Sequence, residues 1–122
     1  MQNAAFIATA LVAGLHIYFM VLEMFLWTKP YGRRVFWLTL EKAELTKSLA
    51  ANQGLYNGFL AAGLAWGLSL GADGYAIKLF FLSCVIIAGI FGAATVGRKI
   101  LYVQALPAAV AVALTCAANG GV

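Results

Sequence analysis

Inside the long apolar runs of this sequence stand a carboxyl, an imidazole and four carboxamides: Glu23, His16, Asn52, Gln53, Asn57 and Gln104. Glu23 and His16 are the groups able to move a proton, as carboxyls and imidazoles do in general acid–base catalysis. They lie seven residues apart. That spacing puts them on nearly one face of a helix, separated by roughly 10 Å along its axis. Phe19, Met20 and Trp27 share this face. Gln53 and Asn57 are four apart and face one way, with Asn52 one position round. A charged side chain at the centre of a bilayer costs about 2.5–3.5 kcal/mol on insertion scales. Glu23 must therefore face the inside of a bundle, be neutralised by protonation, or pair. One interhelical amide hydrogen bond contributes only about 0.6 kcal/mol. Several such bonds, or a protonated Glu23, offset the cost.

Other chemistry is sparse. A zinc site needs about three or four protein ligands, whereas His16 and Glu23 supply two and are too far apart for one ion. Haem with two axial histidines requires a dimer, because His16 is the only histidine. The sequence has no phosphate-binding loop and no nucleophile elbow, and Ser48 and Ser69 have no histidine near their depth. No metal site is expected, and the sequence identifies no cofactor. Cys84 and Cys116 fall in different apolar segments and read as buried free thiols rather than a disulfide.

The elements that must position these groups follow from composition. The chain has 122 residues, is 64% hydrophobic and only 10% charged, against about 25% charged in an ordinary soluble domain. Four apolar segments, about 4–27, 49–71, 75–97 and 100–118, each approach the roughly 20 residues a spanning helix needs. Backbone groups in lipid must bond internally, so the segments are helices. The expected fold is all-α: one integral membrane domain over 1–122, a four-helix bundle with both termini outside.

Between the segments, "TKPYGRR" ends the first with Pro30 and Gly32, "GADGY" turns between the second and third, and "GRK" joins the third and fourth. Pro107 is expected to kink the fourth. The first segment lacks a basic n-region and outruns the roughly 7–15 apolar residues of a signal peptide, so it reads as a retained span. Thr39 is placed to cap a second helix starting near Leu40, with Glu41 in its first turn. Glu44 can pair with Lys47 or Ser48 on its exposed start. Phe36, Trp37 and Leu38 suit a membrane interface. Gly54 with Gly58, Gly63 with Gly67, and Ala88 with Gly92 are spaced for close helix contact.

Basic residues set the orientation. Lys29, Arg33, Arg34, Lys42 and Lys47 follow the first segment, Arg98 and Lys99 follow the third, and Lys78 alone lies on the other side. Loops 28–48 and 97–99 are thus expected to be cytoplasmic. The net charge of +4 reflects this distribution and points to no nucleic-acid partner. In that frame Glu23, Asn52, Gln53 and Gln104 share a layer in the cytoplasmic half, Asn57 and His16 lie deeper, and Arg98 is available above the layer for an anionic group.

"HIYFMVLEMFLW", "LAANQGLYNGFLAAGL" and "GRKILYVQALPA" resemble the hallmark segments of a bacterial membrane family known as domain of unknown function 1304. The resemblance covers nearly the whole chain. It implies a small four-span protein of the bacterial inner membrane and implies no activity. The chain is also similar, more loosely, to the MAPEG membrane enzymes: four spans, a basic first cytoplasmic loop and Asn-containing polar sequence in the second helix. That helix carries amides here where those enzymes carry Arg and Glu.

The leading functional expectation is a site for a small or lipid-like molecule, serving binding or transport. It is lined by Glu23, His16, Asn52, Gln53, Asn57 and Gln104, with Arg98 at its mouth. A MAPEG-like enzyme acting on an amphipathic substrate, with Glu23 or His16 as acid–base, stands as an alternative. So does an accessory subunit of a membrane complex whose polar layer only joins helices. Four helices enclose little space, so a pore would favour a homo-oligomer.

Overall fold

The computed structural model describes residues 1–120, all-helical and without strands among them. The helices are α1 (Gln2–Phe25), α2 (Pro30–Phe36), α3 (Leu40–Ser69), α4 (Tyr75–Thr95) and α5 (Leu106–Gly120). A 3₁₀ turn, Gly71–Gly74, leads into α4, and a π-helical turn, Leu101–Ala105, leads into α5. Among the described residues, three helical stretches are long and apolar enough to cross a membrane: Gln2–Phe25, Gly71–Thr95 and Leu101–Asn119. These hold the first, third and fourth expected spans. The second lies within the 30-residue α3, which is long enough but not apolar enough, because Asn52, Gln53 and Asn57 dilute its apolar run.

The chain forms two compact units, Leu15–Phe59 and Met1–Gly14 with the chain from Leu60 on. In the second of these, Val12, Ala13, Leu64, Leu82, Val85, Ala108 and Ala111 make the buried core, with Leu60, Phe81 and Ile86 packed against it. Phe6, Ile7, Leu11, Phe80, Ile87, Ile90, Phe91 and Val110 are exposed.

Small residues set the close approaches in this unit. A Cβ on Gly89 would come within 2.7 Å of the Ala105 nitrogen, and one on Gly92 within 2.9 Å of Ile100. Sequence spacing had paired Gly92 with Ala88. Ala88 is exposed instead, because the contact face of α4 runs through Leu82, Val85, Gly89 and Gly92 at helical spacing.

Next to Pro107 the helix widens locally. The proline ring cannot sit beneath the carbonyl four residues back, and proline has no N–H to donate. The preceding turn opens to π geometry, with the Leu106 N–H donating to the Leu101 carbonyl, a common form of such a break. Cys84 is half-buried and Cys116 exposed, so they are not the buried pair expected. Tyr75 places its hydroxyl 3.6 Å from the Cys116 Sγ.

In the unit Leu15–Phe59, "TKPYGRR" does more than end a span, since Pro30 starts α2 as its first helical residue. The fixed φ of proline suits that position, and its missing N–H would have had no partner there. Gly32 is buried, and a Cβ on it would strike the Leu26 carbonyl, so α2 folds back tightly on the preceding turn. Trp27 stacks on Phe36 with ring centroids 4.8 Å apart and donates from Nε1 to the Thr46 hydroxyl at 3.0 Å. Tyr18 and Tyr31 join hydroxyls at 2.6 Å. The expected cap is present: Thr39 Oγ1 accepts from the Lys42 N–H at 3.1 Å. Glu44 pairs with Lys47 at 3.1 Å.

Candidate functional site

The polar site is built where α1 and α3 run antiparallel within the unit Leu15–Phe59. Glycines let them close. A Cβ on Gly54 would lie 2.6 Å from Met24 Cγ and 3.1 Å from both Glu23 Cβ and the Met20 carbonyl. One on Gly58 would lie 2.8 Å from Met20 Sδ. The GxxxG pair of α3 thus takes α1 of the same chain as its partner, with the methionines filling the groove. This packing carries Asn57 to Glu23, and Asn57 donates from Nδ2 to Glu23 Oε1 at 2.5 Å. Asn57 is 5% exposed, so its amide is held by packing as well as by the bond.

This corrects the expected layer. Depth counted from the ends of the apolar segments matched Glu23 with Asn52 and Gln53 and placed Asn57 deeper. The partner is Asn57, about one helical turn further along α3. Counting residues from the ends of the apolar segments takes no account of α2, which lies in the connection between the two helices. Asn52 and Gln53 are both exposed. Asn52 donates instead to the Tyr56 hydroxyl at 3.2 Å, along its own helix.

His16 is fully buried, with its ring edge-on to Phe19 at a centroid distance of 5.7 Å. Gln104, half-buried on the π turn, and Arg98, exposed before it, belong to the other compact unit.

Beside Glu23 opens a cleft of about 290 Å³. Met24, Phe25, Trp27 and Ala51 give it apolar wall, and Glu23, Thr28, Lys47 and Ser48 give it polar groups. Asn57 holds one carboxyl oxygen of Glu23; among the described residues no side chain bonds the other. The arrangement offers an acceptor beside an aromatic and aliphatic wall, with two hydroxyls and an ammonium. It suits an amphipathic molecule whose head donates hydrogen bonds. Thr28, Lys47 and Ser48 were missed in the sequence as site residues. The signal was present, because Lys47, Ala51, Gly54 and Asn57 follow one another at steps of three or four along one face of α3. No cluster of three or more His, Cys, Asp or Glu side chains able to hold a metal ion occurs among the described residues.

The family model described as "Protein of unknown function (DUF1304)" matches residues 10–116. The chain is also similar to "Uncharacterized protein YpaA" of Lactococcus lactis subsp. lactis (strain IL1403), with 31% identity over 100 residues, covering 80% of this chain and 84% of the relative. No solved structure matches the chain. His16, Glu23, Asn52, Gln53, Asn57, Arg98 and Gln104 all fall within the matched residues.

Proposed function

Starting from a chain that belongs to DUF1304, a family described as of unknown function, we propose that the protein is a small integral membrane protein that binds or carries an amphipathic small or lipid-like molecule at Glu23. One observation supports this most. Glu23 sits on a helix apolar enough to cross a membrane, bonds Asn57 through one carboxyl oxygen, and is among the residues that line a cleft. Intramembrane carboxyls are costly and are by default functional. A carboxyl needed only for helix adhesion would not have to border a cleft.

In this reading α3 supplies a fourth span, tolerated in lipid because Asn57 is buried and bonded. Both termini lie outside, and loops 28–48 and 97–99 are cytoplasmic, as their basic residues favour. The exposed aliphatic and aromatic residues of the other unit suit a lipid-facing surface, since soluble monomers rarely expose large apolar patches. His16, Asn52, Gln53, Gln104 and Arg98 remain proposed contributors, with Glu23 and Asn57 at the centre.

Native mass spectrometry of protein extracted gently from its own membrane tests the reading. A stoichiometric small or lipid-like adduct that disappears in Glu23→Gln is the expected result. Bare protein, or protein bound only to other polypeptides, contradicts it and favours the accessory-subunit alternative. The same spectra report the oligomeric state.

A further inference from the structure

A second polar feature lies on α2, and it has the opposite charge. Between Glu23 and Glu41 the sequence has no acidic residue, while Lys29, Arg33 and Arg34 all fall in that interval. None of the three forms an ion pair with a described residue, whereas Lys47 on α3 pairs with Glu44. Arg33 is nevertheless held in place, donating from Nε to the Thr28 carbonyl at 3.1 Å. Its two terminal nitrogens stay uncommitted. A guanidinium fixed at Nε presents a preorganised fork, and such a fork matches the oxygens of a phosphate.

Trp37 stands next to this fork. It ends α2 at φ 57°, in the left-handed region, with its N–H bonded to the Arg33 carbonyl. Glycine normally takes that position, and for a bulky residue it is strained. The strained backbone holds the indole 88% exposed. Water is a poor environment for so large an apolar ring, whereas indole rings settle readily at a membrane–water interface. Pro30, Arg33, Arg34, Trp37 and Leu38 together line a concavity of about 380 Å³. Its lining thus combines two guanidinium side chains with the apolar surfaces of Pro30, Trp37 and Leu38.

We infer that this concavity binds the phosphate of an anionic phospholipid, with Arg33 and Arg34 on the headgroup and Trp37 and Leu38 against the glycerol region. The occupant is taken as lipid rather than free phosphate on two grounds. The apolar wall has no use for an inorganic ion. The spanning-length α1 ends at Phe25, so the concavity begins within a few residues of the membrane boundary. The inference rests on the membrane placement proposed above and not on a ligand at Glu23.

The test uses the full chain in nanodiscs, with Trp27→Phe and Trp66→Phe leaving Trp37 as the single tryptophan. Emission is compared between phosphatidylcholine alone and phosphatidylcholine mixed with phosphatidylglycerol. The expected result is a blue shift and reduced acrylamide quenching only with phosphatidylglycerol, weakened by salt and lost in Arg33→Gln/Arg34→Gln. Equal emission in both lipids overturns the inference, as does a shift that survives in the arginine variant. A shift produced by inorganic phosphate in phosphatidylcholine discs also overturns it, by showing a soluble-anion site. Because Trp27 holds Thr46, a second measurement uses the unsubstituted tryptophans. Native mass spectra from mixed-lipid discs should show phosphatidylglycerol retained preferentially, and Arg33→Gln/Arg34→Gln should lose that preference. No preference in the wild-type chain refutes the site without any tryptophan substitution.

Discussion

Asn57 donates a hydrogen bond to Glu23 at 2.5 Å across 34 residues of sequence. The bond ties α1 to α3 within the small groove in which Met20 and Met24 meet Gly54 and Gly58. Packing and polar pairing therefore support the same register. A slip by one turn would separate the carboxyl from its donor and drive methionine side chains against larger neighbours.

Asn57→Leu should destabilise the protein by about 1–3 kcal/mol, because it leaves a partly buried carboxyl without its donor. Glu23→Gln should cost less, since a neutral amide needs less compensation. The two changes should be coupled by about 0.5–3 kcal/mol, the range for groups in direct contact. Denaturant unfolding of the four species in detergent checks this; additive effects would mean the bond contributes nothing.

Gly54→Val should destabilise by about 1–3 kcal/mol through overpacking against Met24 and the Met20 backbone. Gly14→Ala is the control, because nothing lies within 4 Å of a Cβ there. It should stay within about 0.5 kcal/mol of the parent. Thermal melts of the two variants side by side check this: a loss in Gly54→Val without one in Gly14→Ala is expected.

Thr39→Ala removes the side-chain acceptor of the Lys42 N–H and should cost about 1 kcal/mol, while Thr39→Ser should retain most of it. Hydrogen exchange at the first turn of α3 reads the effect locally. Faster exchange confined to residues near Lys42 is expected in Thr39→Ala.

Sidedness is open to direct labelling. In a Cys84→Ser/Cys116→Ser background, single cysteines at Lys42 and Lys99 should react with an impermeant maleimide only from the cytoplasmic face. One at Ala72 should react only from outside. Lys42 and Lys99 labelling from opposite faces would contradict an even number of crossings between them.

The long helices, the cap at Thr39 and the Glu44–Lys47 pair were legible in the sequence, as was the cost of placing Glu23 in an apolar run. Each depends on local spacing or on the cost of a polar group in an apolar run. The partner of Glu23 was not legible, because register is set by how tightly a connection folds. Pro30 read as a stop, yet it starts α2, which packs Gly32 on Leu26 and Phe36 on Trp27 within the connection. The π turn at Leu101–Ala105 was foreshadowed by Pro107, although proline alone does not say whether a helix bends or widens. Gln53 and Asn57 share a face in the sequence, yet Gln53 is exposed like Asn52 and Asn57 is buried against α1, so position along α3 decides the surroundings as much as face does.

The central claim is that the cleft beside Glu23 holds a specific molecule, and photo-crosslinking tests it most directly. A benzophenone side chain at Ala51, in the cleft wall, is compared with one at Leu55, exposed and outside that wall, each irradiated in the native membrane. One discrete adduct mass is expected from position 51, lost when Glu23→Gln is added, with only heterogeneous bulk lipid from position 55. The same heterogeneous adducts from both positions, unchanged by Glu23→Gln, would contradict the claim.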